Sequence, residues 1–191
     1  MKNEKFDDDL KSAVTIIKNG GIILYPTDTI WGVGCDATNE AAIKKIYRMK
    51  KRDEKKSMII LLAASDQIDQ YVSNPSQKIL EFLAFQKTPT TAIFSNAINL
   101  PENLINEDGS IAIRITKDEF CRQVILKSGV PIVSTSANIS GQYYPQIFSK
   151  IGNEIKRSVD YIVRYRQEDT IAANPSSIVK LNSDGSIEKL R

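Results

Sequence analysis

Apolar residues recur at helical spacing near the start of the chain, at Leu10, Val14 and Ile17, with Asp7, Asp8 and Asp9 in front and Gly20-Gly21 behind. Carboxylates suit the positive end of a helix dipole and glycine ends a helix, so this stretch predicts a first helix. The continuous apolar run 22–25 reads as a short buried strand, stopped by Pro26, and a loop from Thr27 to Gly34 follows. Thr38 or Asn39 can cap the next helix, whose apolar stripe is Ile43, Ile46 and Tyr47. Apolar runs at 58–62, 91–94, 111–115 and 131–133 read as further core strands, and 75–85, 118–128 (closed by Gly129) and 146–155 as helices. Weaker strands are expected at 161–163 and 177–181, the second returning as a hairpin through 186–190 after the turn Asn182-Ser183-Asp184-Gly185. The long connection 96–110 is the expected mobile loop.

Strands interleaved with helices over 191 residues predict an α/β fold, one domain spanning residues 1–191, with a mixed sheet and flanking helices. No run approaches the ~18 apolar residues of a membrane span, and the opening MKNEKFDDDL lacks the apolar stretch of a leader, so a cytoplasmic protein without membrane association is expected. Cys35 and Cys121 form no metal or redox spacing and read as small buried hydrophobes.

Charge changes the picture. The formal total is +3, yet the segment from Lys44 to Lys56 contains eight basic and two acidic residues, so it carries +6 and the remainder −3. Positive potential gathered beside a Thr- and Gly-rich loop suits a polyanion. Histidine is absent, which removes the Ser-His-Asp and Cys-His arrangements and the commonest zinc ligand. Chemistry at phosphorus, where positioning and charge neutralisation dominate, fits what remains. Neither GxGxxG nor GxxxxGK[ST] is present, so a less common cradle must hold the anion.

Lys50 and Arg52, just beyond the helical stripe, would project to one side and clamp an anionic group if the chain there is extended; otherwise they decorate a solvated helix end. Lys44, Lys45 and Arg48 read as solubilising surface. Pro26-Thr27-Asp28-Thr29 follows a strand, and the hydroxyl-rich loop 134–141 follows another, places where α/β folds put ligands. Each alone is a turn; with Pro89-Thr90-Thr91 before a third strand they suggest a shared polar pocket. Alternation puts Arg114 on the face opposite Ile113 and Ile115, where it needs an internal carboxylate or a carboxylate-bearing ligand.

Taken together, ILYPTDTIWGVGCDA (23–37), the K-x-R of Lys50 and Arg52 with Lys56 four residues on, PTT (89–91), IAIRI (111–115), PIVSTSANISG (131–141) and NPSSIV (174–179) resemble the YrdC/TsaC family, the threonylcarbamoyl-AMP synthases. The resemblance covers nearly the whole chain and implies a twisted open sheet with a positively charged concave groove. It implies synthesis of L-threonylcarbamoyl-adenylate and pyrophosphate from ATP, L-threonine and bicarbonate by a nucleotidyltransferase, for tRNA threonylcarbamoyladenosine, with transfer proteins downstream. By position, Lys50, Arg52 and Lys56 would bind triphosphate or carbamate, and Thr91, Ser136 and Asn138 the nucleotide. Thr29, Arg114, Ser134 and Ser176 would bind threonine, and Arg191 would contact ATP; Lys50 and Arg52 would carry the catalytic step. Mg2+ is expected with ATP, and no metal held by the protein. The family usually has Pro where Asp53 stands, often Pro or Gly where Ser57 stands, and a WPGPxT block where QKTPTT (86–91) keeps only Pro89 and Thr91. The alternative class is a non-catalytic relative whose basic groove binds structured RNA, with affinity falling steeply in salt.

Overall fold

The computed structural model describes residues 4–191; the first three residues of the amino-terminal stretch expected to lack a leader lie outside them. α1 (Glu4–Lys18) buries Leu10, Ala13 and Ile17, extending the expected stripe by one small residue. It leads through Gly20 (φ +72°) into β1 (Ile23–Tyr25), fully buried as a continuous apolar run requires. The presumed loop 27–34 ends in a strand, β2 (Gly32–Gly34), antiparallel to β1 with Ile23 opposite Gly34 and Tyr25 opposite Gly32. Gly-Val-Gly carries too little side chain to announce a strand, and here the glycines are a packing requirement: a Cβ on Gly34 would lie 2.3 Å from the Val133 carbonyl.

Asn39 caps α2 (Glu40–Lys50), its side chain accepting from the Ala42 N–H. β3 (Ile59–Leu62), α3 (Gln77–Phe85), β4 (Thr90–Phe94), β5 (Ile111–Ile115) and α4 (Glu119–Ser128) follow, the last capped by Asp118 and closed by Gly129 (φ +79°). β6 (Ile132–Ser136) runs three residues past its apolar core, so Ser134, Thr135 and Ser136 stand on a strand rather than in the expected loop. Pairing explains it: β2 holds Val33 opposite Thr135 and Gly32 opposite Ser136. The helix expected over 146–155 is split into a 3-10 turn (Phe148–Lys150) and a short α5 (Asn153–Ser158), because Ile151 and Gly152 are extended (ψ 127° and 146°). β7 (Tyr161–Ile162), β8 (Ser177–Leu181) and β9 (Ile187–Lys189) complete the chain, β8 and β9 as the expected hairpin.

Among the described residues nine strands form one mixed sheet in the order β7-β1-β2-β6-β3-β5-β4-β8-β9, with β1/β7, β3/β5 and β4/β8 parallel. α1 and α4 pack against each other, sealed by Phe6 edge-on to Phe120 and Tyr165 at centroid distances of 5.5 and 5.1 Å. The fully buried Asp9 carboxylate ties α1 to the chain after β7: it accepts from Tyr161 Oη (2.6 Å), the N–H groups of Arg164 (2.8 Å) and Tyr165 (2.6 Å), and Arg164 Nε (3.0 Å). The connection 96–110 is pinned rather than free. Ala97 N–H donates to Gly109 O (3.0 Å), Leu104 is fully buried, and Ser57 Oγ donates to Leu104 O (2.6 Å).

Candidate functional site

One face of β5, β6 and β8, with the ends of β2 and the residues before it, floors a groove of about 280 Å3. Register does the gathering. Arg114 sits beside Leu61 across β3/β5, Ser134 pairs with Ile59, and Ser136 with Gly32, so side chains far apart in sequence open on one space. Thr29, Arg114, Ser134, Ser136 and Ser176 line it, together with Arg52 and Arg191. Three guanidiniums thus meet four hydroxyls from six separate segments.

Arg114 is the anchor. It is 4% exposed; Nη2 lies 3.2 Å from Asp28 Oδ1 and Nη1 donates to Thr29 Oγ1 (3.2 Å), while its Nε is buried with no partner among the described residues. The internal salt bridge, one of the two alternatives in the sequence, is therefore present, and it leaves one guanidinium donor unpaired among the described residues. Asp28 is in turn oriented by the Lys117 N–H, which donates to Oδ2 (3.2 Å). The hydroxyl chain has a fixed direction: Thr27 Oγ1 gives its proton to Ile30 O (2.8 Å), so toward Thr29 it can only accept, from the Thr29 N–H (2.9 Å) and Thr29 Oγ1 (2.9 Å). Thr29 Oγ1 is then left to accept from Arg114. Arg191 Nε donates to Ser176 O (3.1 Å), and burial together with the nearby Arg114 charge lowers the Arg191 pKa. Crowded like charges of this kind are relieved by an anion.

The expected Lys50–Arg52 clamp is corrected by the helix end. α2 closes with Lys51 in the left-handed region (φ 50°) and the Arg52 N–H turned back to Tyr47 O (2.9 Å), so the chain there is not extended. Lys50, the last helical residue, is 1% exposed, and its Nζ donates to Ser136 O and to Asn138 O (2.6 Å). Its own carbonyl accepts from Ser140 N–H (2.8 Å). Lys50 thus bolts the 136–140 segment to the end of α2. Burial, then the neighbouring Arg52, pushes its pKa from 10.5 down to about 7. Arg52 reaches the groove from a turn that Asp53 organises by accepting from Lys55 N–H (3.0 Å); Lys56 O and Ser57 O accept from Arg52 Nε (2.7 Å) and Nη2 (2.8 Å).

Other expected residues stand further back. Thr91 is fully buried, its Oγ1 2.8 Å from Ser176 Oγ, so it meets the groove through Ser176. Asn138 Nδ2 donates to Ile139 O (3.1 Å) and Gln142 O (2.7 Å), and its buried Oδ1 has no partner among the described residues. Lys56 is exposed and lies outside the lining. Within the basic segment, Lys44 pairs with Glu40, Lys51 with Glu154 (2.8 Å) and Lys55 with Glu107 (3.6 Å), which tempers its field. Ser57, Asn106 and Pro175 line the groove without having been expected. Pro175 lies within the NPSSIV block beside the expected Ser176, whereas only folding brings Ser57 and Asn106 there. Among the described residues no three Cys, Asp or Glu side chains converge as a metal site, and no helix is long and apolar enough to cross a membrane. Cys35 and Cys121 are buried free thiols, both raised in pKa by burial.

Residues 15–191 match the Sua5/YciO/YrdC family, whose description is "Telomere recombination". The threonylcarbamoyl-AMP synthase of Psychromonas ingrahamii is 36% identical over 135 residues, covering 69% of this chain and 71% of its own. That of Idiomarina loihiensis is 33% identical over 176 residues, covering 90% and 92%. Among solved structures, P. abyssi Sua5 complexed with L-threonine superposes with a TM-score of 0.80 at 23% identity over 95% of this chain and 53% of that one. E. coli YciO superposes at 0.79 with 22% identity over 95% and 87%. The chain spans about half the length of that Sua5 protein. At such identities the superpositions speak for the fold, an α/β mixed sheet with flanking helices.

Proposed function

This chain belongs to the Sua5/YciO/YrdC family, and on that premise we propose that it joins ATP, L-threonine and bicarbonate into threonylcarbamoyl-AMP and pyrophosphate. The observation that carries the reading is the convergence of Arg52, Arg114 and Arg191 with Thr29, Ser134, Ser136 and Ser176 on one groove.

Arg114, its free Nε backed by Asp28 and Thr29, receives the threonine carboxylate, a geometry in which a guanidinium fork binds a carboxylate through charge-assisted hydrogen bonds. Ser134 and Ser176 offer hydroxyls beside it. The threonine amine adds to CO2 derived from bicarbonate, releasing one proton, and becomes a carbamate. A carbamate oxygen then forms a bond to the α-phosphorus while the bond from that phosphorus to the bridging oxygen breaks, and pyrophosphate leaves. An anion must approach a polyanion, so cations have to offset the repulsion; Arg52 and Arg191 do this in the groove, with Lys56 at the exposed turn. The carbamate is already ionised, so the attack requires no protein base, which suits a chain without histidine. Mg2+ is part of the substrate, carried by the phosphate oxygens of ATP, and lowers their charge. The class is a nucleotidyltransferase, its product supplying tRNA threonylcarbamoylation through downstream transfer proteins.

Lys50 acts as a positioning residue in this scheme: its ammonium holds Ser136 O and Asn138 O, and through them the hydroxyl of Ser136 and the Asn138 amide. Thr91 likewise orients Ser176. The test is pyrophosphate release by the purified protein. Release that requires both threonine and bicarbonate supports the reading, whereas release indifferent to threonine overturns it.

A further inference from the structure

The sheet has a second concavity, on the face away from the groove. Alternation makes the separation definite: along β5, Arg114 opens on the groove and Ile115 on the other side; along β4, Thr91 reaches Ser176 while Thr90 turns to the back. This back cavity measures about 520 Å3, larger than the groove and within the range that holds a small organic ligand.

Its floor is apolar, from Ile68, Leu80, Leu83, Ala84 and Ile115. α3 supplies much of it and is poorly covered: of its nine residues only Ile79 is buried, although six are apolar. Three carboxylates rim the same space, Asp66, Asp69 and Glu81, and none of them is in an ion pair among the described residues; Glu81 accepts only a neutral amide hydrogen bond from Gln77 Nε2 (3.1 Å). The single cation of the lining, Lys117, is committed elsewhere, its Nζ donating to the Gln86 carbonyl (2.7 Å) at the end of α3. Three carboxylates against one ammonium leave the rim net negative, and an apolar floor under such a rim selects the sign as well as the polarity of its occupant.

We propose that the back cavity is a binding site for a small organic cation, an ammonium group carried on an apolar body, distinct from the nucleotide groove and independent of the activity assigned to that groove. The apolar body covers Ile68, Leu80 and Ile115, and the ammonium faces Asp66, Asp69 and Glu81. The three carboxylates are exposed and solvated, so a neutral ligand gains no attraction from them, whereas an ammonium does and an anion is repelled.

The test follows 4-phenylbutylammonium and its uncharged counterpart 4-phenylbutanol by amide chemical-shift titration of the full chain, saturated with ATP and threonine so that the groove is filled. The expected result is saturable binding of the ammonium with shifts centred on Ile68, Leu80 and Ile115, about tenfold tighter than the alcohol. Asp69→Asn with Glu81→Gln should erase that preference, and Leu80→Trp, which fills the cavity, should abolish binding of both. Equal affinity for the two probes, shifts centred on Arg114 and Ser134, or no saturation at millimolar concentration overturns the proposal. So does a concentration-dependent dimer whose interface includes Leu80, since a second copy would then be the occupant.

Discussion

Replacing Arg114 by lysine isolates the amino-acid end of the groove. The lysine keeps a positive charge but loses the fork: with one nitrogen it cannot hold Asp28, accept the company of Thr29 Oγ1 and still present the free donor that Arg114 Nε provides. At least one charge-assisted hydrogen bond to the threonine carboxylate is lost, about 1.5–3 kcal/mol. At roughly 1.4 kcal/mol per decade that weakens threonine binding about ten- to 150-fold. ATP affinity should change far less, because Arg52 and Arg191 are untouched. Calorimetric titration of L-threonine and of ATP into both proteins separates the two effects, and a thermal melt checks that the variant is folded. Unchanged threonine affinity in a folded variant would refute the assignment of Arg114 to the carboxylate.

Other consequences can be measured on the same protein. Lys50 titrates near 10.5 in an unfolded chain but is held at about 7 when folded, so between these values the unfolded state binds more protons and stability rises with pH, being lowest below about 7. Lys50→Met should flatten that rise in denaturant melts run from pH 7 to 10; parallel pH profiles for the two proteins would show that the ammonium is not desolvated. Asp9→Ala strips four hydrogen-bond donors of their acceptor, one of them on the half-exposed Arg164 guanidinium, and should cost about 2–4 kcal/mol of unfolding free energy with the groove chemistry intact; a loss under about 1 kcal/mol, read by urea denaturation, would contradict it. Gly34→Ala puts a methyl 2.3 Å from Val133 O, so the β1–β2–β6 pairing must part and the melting temperature fall by several degrees or more. An unchanged melt would mean that the strands are not as close as described.

Much of the frame is readable from side-chain periodicity because periodicity is what the sheet and helices use. The Leu10–Ile17 stripe, the apolar strands, the Asn39 cap and the Gly129 stop follow local rules that need no partner. What escaped depends on partners. β2 is a strand because β1 and β6 flank it, not because Gly-Val-Gly favours one, and Ser134–Ser136 are strand for the same reason. Lys50 looked like a free cation since nothing local says that two carbonyls 86 and 88 positions away will receive it. The Arg114 alternatives were undecidable from alternation alone; the fold puts Asp28 on Nη2 and Thr29 on Nη1 and leaves Nε buried without a partner among the described residues. Residues such as Ser57 and Asn106 become groove lining only through tertiary register.

The proposed reaction requires the two substrates to lie in a fixed relation to the three arginines. A crystal structure of the protein with L-threonine and a non-hydrolysable ATP analogue is expected to show the amino-acid carboxylate on Arg114 and the phosphates between Arg52 and Arg191, with the α-phosphorus facing the threonine nitrogen. Threonine bound away from Arg114, or the nucleotide on the other face of the sheet, would contradict it.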